Sequence, residues 1–219
     1  MRARISGAFP AVIAAALVAT ACKGGTSDQT KSSATASPAG GAMGMGSMAT
    51  NPIPADADYT LADVQFMQGM ITHHAQALVM TAEAPTHGAN PSLGTLCKRM
   101  YMAQSNEIAL MQNWLKDRSQ PVTDPNDPHP MMMPGMLTPQ QIAQLGASKG
   151  ATWDSLFLIG MIQHHEGALK MVADLFASPG GGQGADIFAF ATGIDAGQRV
   201  EISIMQHMLN PAATGSPNQ

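Results

Sequence analysis

Residues 63–80 read DVQFMQGMITHHAQALVM, and residues 154–171 read DSLFLIGMIQHHEGALKM. At an offset of 91, Asp63, Phe66, Met70, Ile71, His73, His74, Ala77 and Met80 fall on Asp154, Phe157, Met161, Ile162, His164, His165, Ala168 and Met171, in order and without a gap. Such self-similarity marks a structural unit written twice. A second pair of stretches follows: Gln104, Glu107, Ile108 and Met111 fall on Gln198, Glu201, Ile202 and Met205 at an offset of 94. The three extra residues belong to the connection in the second half, SPGGGQG.

Apolar residues in all four stretches recur at spacings of three and four, the period of a helix. The pattern predicts helices over 61–82, 93–117, 152–177 and 185–209. Thr60-Leu-Ala-Asp63 is a capping-box start, and Gly88-Ala-Asn-Pro91 and Pro179 to Gly184 are breakers. The middle stretch, DRSQPVTDPNDPHPMMMPGM, is proline-rich and predicts irregular chain. Thr138-Pro139-Gln140-Gln141 then opens a short helix to about Leu145, with proline at its first position. No strand-like alternation appears. The expected fold is all-α: a four-helix bundle made of two repeated helical hairpins, 59–117 and 150–210, with a long crossover, forming one domain over 59–211.

The front of the chain reads differently. Residues 1–22 carry two arginines, an apolar run from Ala8 to Ala21, and small residues before Cys22, the plan of a secretory signal. The run is short for a membrane-spanning helix. Ala19-Thr20-Ala21-Cys22 is close to a bacterial lipobox, which would make Cys22 a lipidated N-terminus. Ala19 departs from the usual leucine, so ordinary cleavage near this point stays open as the alternative. Residues 23–58 are rich in Gly, Ser, Ala and Thr and lack the apolar groups to offset ordering entropy, which predicts a flexible tether. Residues 212–219 read as a disordered tail. The expected location is extracytoplasmic, in the periplasm or cell envelope, with membrane contact only through a lipid anchor.

The formal net charge is −4. Without a basic cluster beyond the signal, nucleic acid is excluded as a partner. With Cys22 lipidated, Cys97 has no pairing partner, so a disulfide framework is excluded, and Cys97 reads as a small buried hydrophobe. Methionine is the anomaly: 18 of them outnumber the leucines.

On a helical wheel, His74 lies near the middle of the apolar face of the first helix, and His73 at its edge with Met80. In the second half His165 is central, and His164 sits at the edge with Met171. Met100, Gln104, Glu107 and Met111 form one stripe on the following helix, and Gln198, Glu201 and Met205 form its equivalent. A glutamate inside an apolar stripe needs a partner, and His74 and His165 are the available ones. The expected interior set is His74, Glu107, His165 and Glu201, ringed by Met70, Met111, Met161 and Met205.

Two readings of this set stand side by side. In the first it is a metal centre: bundles build such centres from facing helices, and imidazole with thioether suits Cu(I). The rim residues His73, Met80, His164 and Met171 would then be soft-metal ligands. Accessory contacts would come from the tether (Met43, Met45, Met48), the crossover (His129, Met131, Met132, Met133, Met136) and the end of the last helix (His207, Met208). In the second reading, methionine is a flexible core filler and the His–Glu pairs hold helix register without metal. Diiron chemistry of the ferritin type asks for Glu-x-x-His on two helices, absent from these stretches, although a redox bundle with a dinuclear centre remains a third class. His-His-Glu at 164–166 is not the zinc-protease motif, and no catalytic residue is indicated.

With these residues in place, the chain resembles the bacterial domain-of-unknown-function family numbered 305. That family's hallmark is an Asp–Phe–Met-Ile-x-His-His–Ala–Met helix followed by a Gln-x-x-Glu-Ile-x-x-Met helix, often in two copies. The resemblance runs from Asp63 to Leu209. It implies a ferritin-like bundle and, through members that look like periplasmic copper-binding proteins, Cu(I) or another transition metal as the ligand.

Overall fold

A computed structural model describes residues 48–127 and 132–210. Cys22, Met43, Met45, His129 and Met131 lie outside the described residues, as do the expected signal and tail. Six helices are present among the described residues: α1 (Leu61–Ala82), α2 (Ala84–His87), α3 (Pro91–Asp117), α4 (Pro139–Ala147), α5 (Gly150–Ala177) and α6 (Ala185–Leu209). None is long and apolar enough to cross a membrane.

The local sequence sets the helix ends. Thr60 and Asp63 form a complete capping box on α1, and Thr138 and Gln141 form another on α4. Asn90 caps α3 by accepting from Ser92 N, with Pro91 at the first helical position. Gly88 takes the left-handed conformation (φ 70°) that ends α2. The one-turn α2 has no counterpart in the sequence expectation.

The architecture is an all-α bundle of two hairpins: α3 lies along α1, α6 lies along α5, and the hairpins meet through α1 and α5. Two apolar clusters fill it. One gathers Met67, Met70, Met111, Trp114 and Leu115 with Val172, Leu175 and Ile187. The other gathers Met80, Leu93, Cys97 and Met100 with Trp153, Phe157, Met161 and Met205.

Residues aligned between the halves make matching contacts across the seam. The buried Asp63 accepts from Gly182 N in the α5–α6 connection (2.7 Å), while Asp154 accepts from Asn90 N just before α3 (3.1 Å). The end of Met171 rests on Gly69 and that of Met80 faces Gly160, each methionine using a glycine of the opposite hairpin. Asp63 and Asp154 therefore each hold the connection of the opposite hairpin.

Two expectations change here. The tether was expected to be flexible as far as 58, yet Met48 and Ile53 pack against the core and Asn51 N donates to Gln120 (3.0 Å). On a helical wheel Gln68 and Thr72 lie opposite the apolar face of α1, the side expected to meet solvent, yet both are buried. Gln68 Nε2 donates to Ala49 O (2.9 Å) and Pro121 O (2.8 Å). Flanking chain covers α1 on the face that periodicity assigns to water.

Candidate metal centre

The crossover is the element that shapes the site. Its Pro134–Gly135 turn lies directly on α5 at Gly167, where any Cβ would stand 1.9 Å from Pro134 O. On the α1 side, Gln76 clamps the same segment with both amide atoms, accepting from Leu137 N (2.7 Å) and donating to Leu137 O (2.9 Å). Gln163 Nε2 donates to Gly135 O (3.2 Å). The crossover thus roofs the α1–α5 seam.

Beneath it stand four histidines, all with no solvent exposure. His73 Nε2–H donates to Pro134 O (3.0 Å), and His164 Nε2–H donates to His73 O (3.0 Å). Their rings face each other across the seam with centroids 3.8 Å apart. His74 Nε2 bonds Glu107 Oε2 (2.8 Å) and His165 Nε2 bonds Glu201 Oε2 (2.7 Å). Ring centroids of His73 and His74 stand 6.3 Å apart and those of His164 and His165 6.2 Å apart, so the four rings form one buried layer.

This corrects the rim assignment of His73, Met80, His164 and Met171: all four are buried. A wheel places a residue relative to its own helix's apolar face, and the crossover converted that edge into interior. Met133 and Met136 change for the same reason. Expected in irregular chain as accessory metal contacts, they are buried in the first apolar cluster. Met132 is exposed, Met48 and Met208 are half-buried against the core, and His207 is exposed. Met70, Met111, Met161 and Met205 are fully buried, as the stripes predict. Cys97 is buried, and burial with Asp154 nearby pushes its thiol up to about 12.

Electrostatics keeps the central pair neutral. Burial, followed by the neighbouring His74, pushes His73 down to about 3 against the ordinary 6.5. Burial and then His73 hold His164 well below its ordinary value. Each Nε2 of these two gives its proton to a carbonyl, which can only accept, so each neutral ring carries its lone pair on Nδ1. All four Nδ1 atoms are buried and without a hydrogen-bond partner.

Two further unpartnered groups belong to this layer. Gln104, one turn before Glu107, has neither amide atom bonded, and Gln198, one turn before Glu201, leaves Oε1 unbonded. Both are buried. The stripes and the repeat contain them, but sequence reasoning gave them no role. A buried glutamine aligned with its own repeat was the available signal, since such a group requires a partner. Among the described residues, no three side chains of His, Cys, Asp or Glu converge to hold a metal ion. A metal here would therefore draw on methionine sulfur as well as imidazole, a donor set that fits a soft cation.

The fold and this layer define an all-α bundle with a buried histidine–glutamine stratum between apolar clusters. Residues 63–209 match the family described as Domain of unknown function (DUF305), and the chain belongs to it. A DUF305 fragment from Deinococcus radiodurans is similar in structure, with 26% identity and a TM-score of 0.61 over 70% of this chain and 98% of that one. A putative secreted DUF305 protein from Streptomyces coelicolor shows 25% identity and a TM-score of 0.60 over 74% and 99%. CopM in its Cu(I)-bound form shares the fold at 23% identity and a TM-score of 0.55, over 70% and 98%. No protein of curated function matches the chain.

Proposed function

We propose that this chain is an extracytoplasmic copper-binding protein that holds Cu(I), or silver in its place, through imidazole nitrogen and methionine sulfur, and buffers the metal or hands it on. The observation that carries the reading is the layer of four buried imidazoles, each bonded at Nε2 and unpartnered at Nδ1, among fully buried methionines. Metal-ligating histidines have this arrangement, with one ring nitrogen tied to a carboxylate or carbonyl and the other left for the ion. Two relatives lend support. CopM has been solved with Cu(I), Cu(II) and silver bound, and the Streptomyces coelicolor relative is described as secreted. The proposal includes a signal at 1–22, lipidation of Cys22, a tether whose Met43 and Met45 collect metal, and a ferritin-like arrangement of the four long helices. His129, Met131, Met132, His207 and Met208 would be accessory collecting groups.

The test is anaerobic Cu(I) titration against a competing chelator. Wild type is compared with a variant in which Met70, Met111, Met161 and Met205 are all leucine. Leucine conserves volume, so the variant keeps its fold by circular dichroism and loses the tightly held copper. Wild type that surrenders all copper to the chelator overturns the reading, as does a leucine variant with unchanged affinity.

A metal-free structural module is the second reading. The two His–Glu pairs are already closed at 2.8 and 2.7 Å without metal, and such pairs can hold register alone. It predicts that His74→Ala lowers Tm while metal content stays the same.

A further inference from the structure

We infer that the outer groove of α1, on the side away from the histidine layer, is the docking site of the tether's own Met43-Gly-Met45 segment, whose two side chains seat in the cavities beside Pro125. The inference concerns the metal-free protein and does not depend on the copper reading.

The course of the tether points there. Followed backwards, the chain pairs Asn51 N with Gln120 Oε1 (3.0 Å). Ala49 O then shares Gln68 Nε2 with Pro121 O (2.9 and 2.8 Å). Met48 next lines a small cavity with Val122 and Thr123. The tether therefore runs antiparallel to the start of the crossover, and its N-terminal direction leads toward residues 124–127. Two cavities lie on that course, of about 200 and 360 Å³, both walled by Ala75 and Val79 of α1 and by Pro125. Val79 is 55% exposed at this place and Tyr101, on the wall of the larger cavity, 43%.

The length fits. From Gln68 to Val79 is eleven residues of helix, about 17 Å. From Met48 back to Met43 is five steps, about 17 Å when extended. Met45 thus comes level with Ala75, and Met43 comes to Val79 at the limit of its reach. In extended chain residues 43 and 45 share a face, and a methionine side chain adapts to an irregular apolar cavity. Met48 is of the opposite parity, and Gly46 supplies the bend between them.

A second, independent mark stands at the entrance. Gln68 is 2% exposed, and its Oε1 has no hydrogen-bond partner. Such a group calls for a donor, and a backbone N–H of the segment before Met48 supplies one. The neighbouring Gln76 shows the completed form of this clamp, with both amide atoms on the backbone of Leu137. Attachment at Met48 also favours this occupant over a second copy. A segment tied so close to its groove competes at an effective concentration on the order of millimolar.

The experiment uses the full chain, metal-free, with ¹³C in the methionine methyl groups. The Met43 and Met45 signals, assigned by replacing each with leucine, should stand away from the free-chain position. They should show nuclear Overhauser contacts to the Val79 methyls and the Tyr101 ring. Val79→Glu should return both to the free-chain position, with the core signals of Met70 and Met111 unmoved as the control for folding. Tyr101→Ala, at an exposed site on the other helix, should do the same and serves if the first variant does not fold. Hydrogen peroxide should oxidise Met43 and Met45 several-fold more slowly than the exposed Met102 in wild type, and equally fast in either variant. Free-chain signals in wild type, or docked signals that both variants leave in place, overturn the inference. Contacts that appear only between labelled and unlabelled copies, or that fade on dilution, assign the groove to a second copy and overturn it as well.

Discussion

Substituting Gly167 by alanine tests whether the crossover is what seals the histidine layer. The alanine Cβ would stand 1.9 Å from Pro134 O, 2.5 Å from Pro134 C and 2.6 Å from Gly135 Cα. All three are backbone atoms, so no rotamer relieves the clash. The Pro134–Gly135 turn has to retreat by roughly 1 Å or more to reach ordinary contact distance. His73 Nε2 donates to Pro134 O at 3.0 Å, and such a retreat breaks that bond. A buried donor left unsatisfied costs about 1–3 kcal/mol. Loosened packing of Met133, Met136 and Leu137 adds about 1–2 kcal/mol. Alanine's helix propensity returns about 1 kcal/mol. The net destabilisation is about 1–4 kcal/mol, read as a lower urea midpoint at constant m. Gly94 supplies the control. It is also helical, but nothing lies within 4 Å of its Cβ position, so Gly94→Ala should stabilise by about 0.5–1 kcal/mol. A Gly167→Ala protein as stable as wild type would refute the close docking of crossover on α5 and, with it, the account of why His73 is buried.

Acid should destabilise the metal-free protein early. His73 is held at about 3 and His164 well below 6.5 when folded, so the unfolded chain takes up protons first. Stability is complete above about pH 6.5 and falls as pH drops toward 3, with a slope approaching about 1.4 kcal/mol per pH unit for each histidine. Urea midpoints that stay flat between pH 6.5 and 5 would contradict this. The two aligned aspartates should differ. Asp63→Ala removes a capping box and the Gly182 bond from a buried site and should cost about 2–4 kcal/mol. Asp154→Ala loses one exposed contact to Asn90 and should cost about 1 kcal/mol or less, so equal shifts in Tm would count against the reading. Cys97, buried and with its thiol raised to about 12, should resist iodoacetamide at pH 8 in native protein and react once the chain is unfolded in urea; native-rate labelling would show the site to be open.

Much of this was legible in the chain because helices are read locally. Thr60 with Asp63 and Thr138 with Gln141 stand at real helix starts. The 3.6-residue period put His74 and Glu107 on facing stripes, and they meet at 2.8 Å. An unpaired glutamate in an apolar stripe can be interpreted without coordinates, since its charge demands a partner. The same method failed for His73 and His164. Periodicity describes a helix against one face, whereas α1 is covered by α3, by α5 and by irregular chain on its remaining side.

The sequence by itself determined the helices, their pairing into two similar hairpins, and the identity of the side chains that would seek one another within each hairpin. These depend on contacts three or four residues apart and on charges that cannot stay unpaired. Only the tertiary structure decided where the crossover lies. A proline-rich segment carries no periodic signal of its destination. It was Gly167, lacking a Cβ, together with Gln76 offering a matched donor and acceptor, that let backbone settle on the seam. That single placement turned two rim histidines into a neutral, buried pair with ring centroids 3.8 Å apart and planes tilted by 38°, and two methionines of the irregular crossover into core.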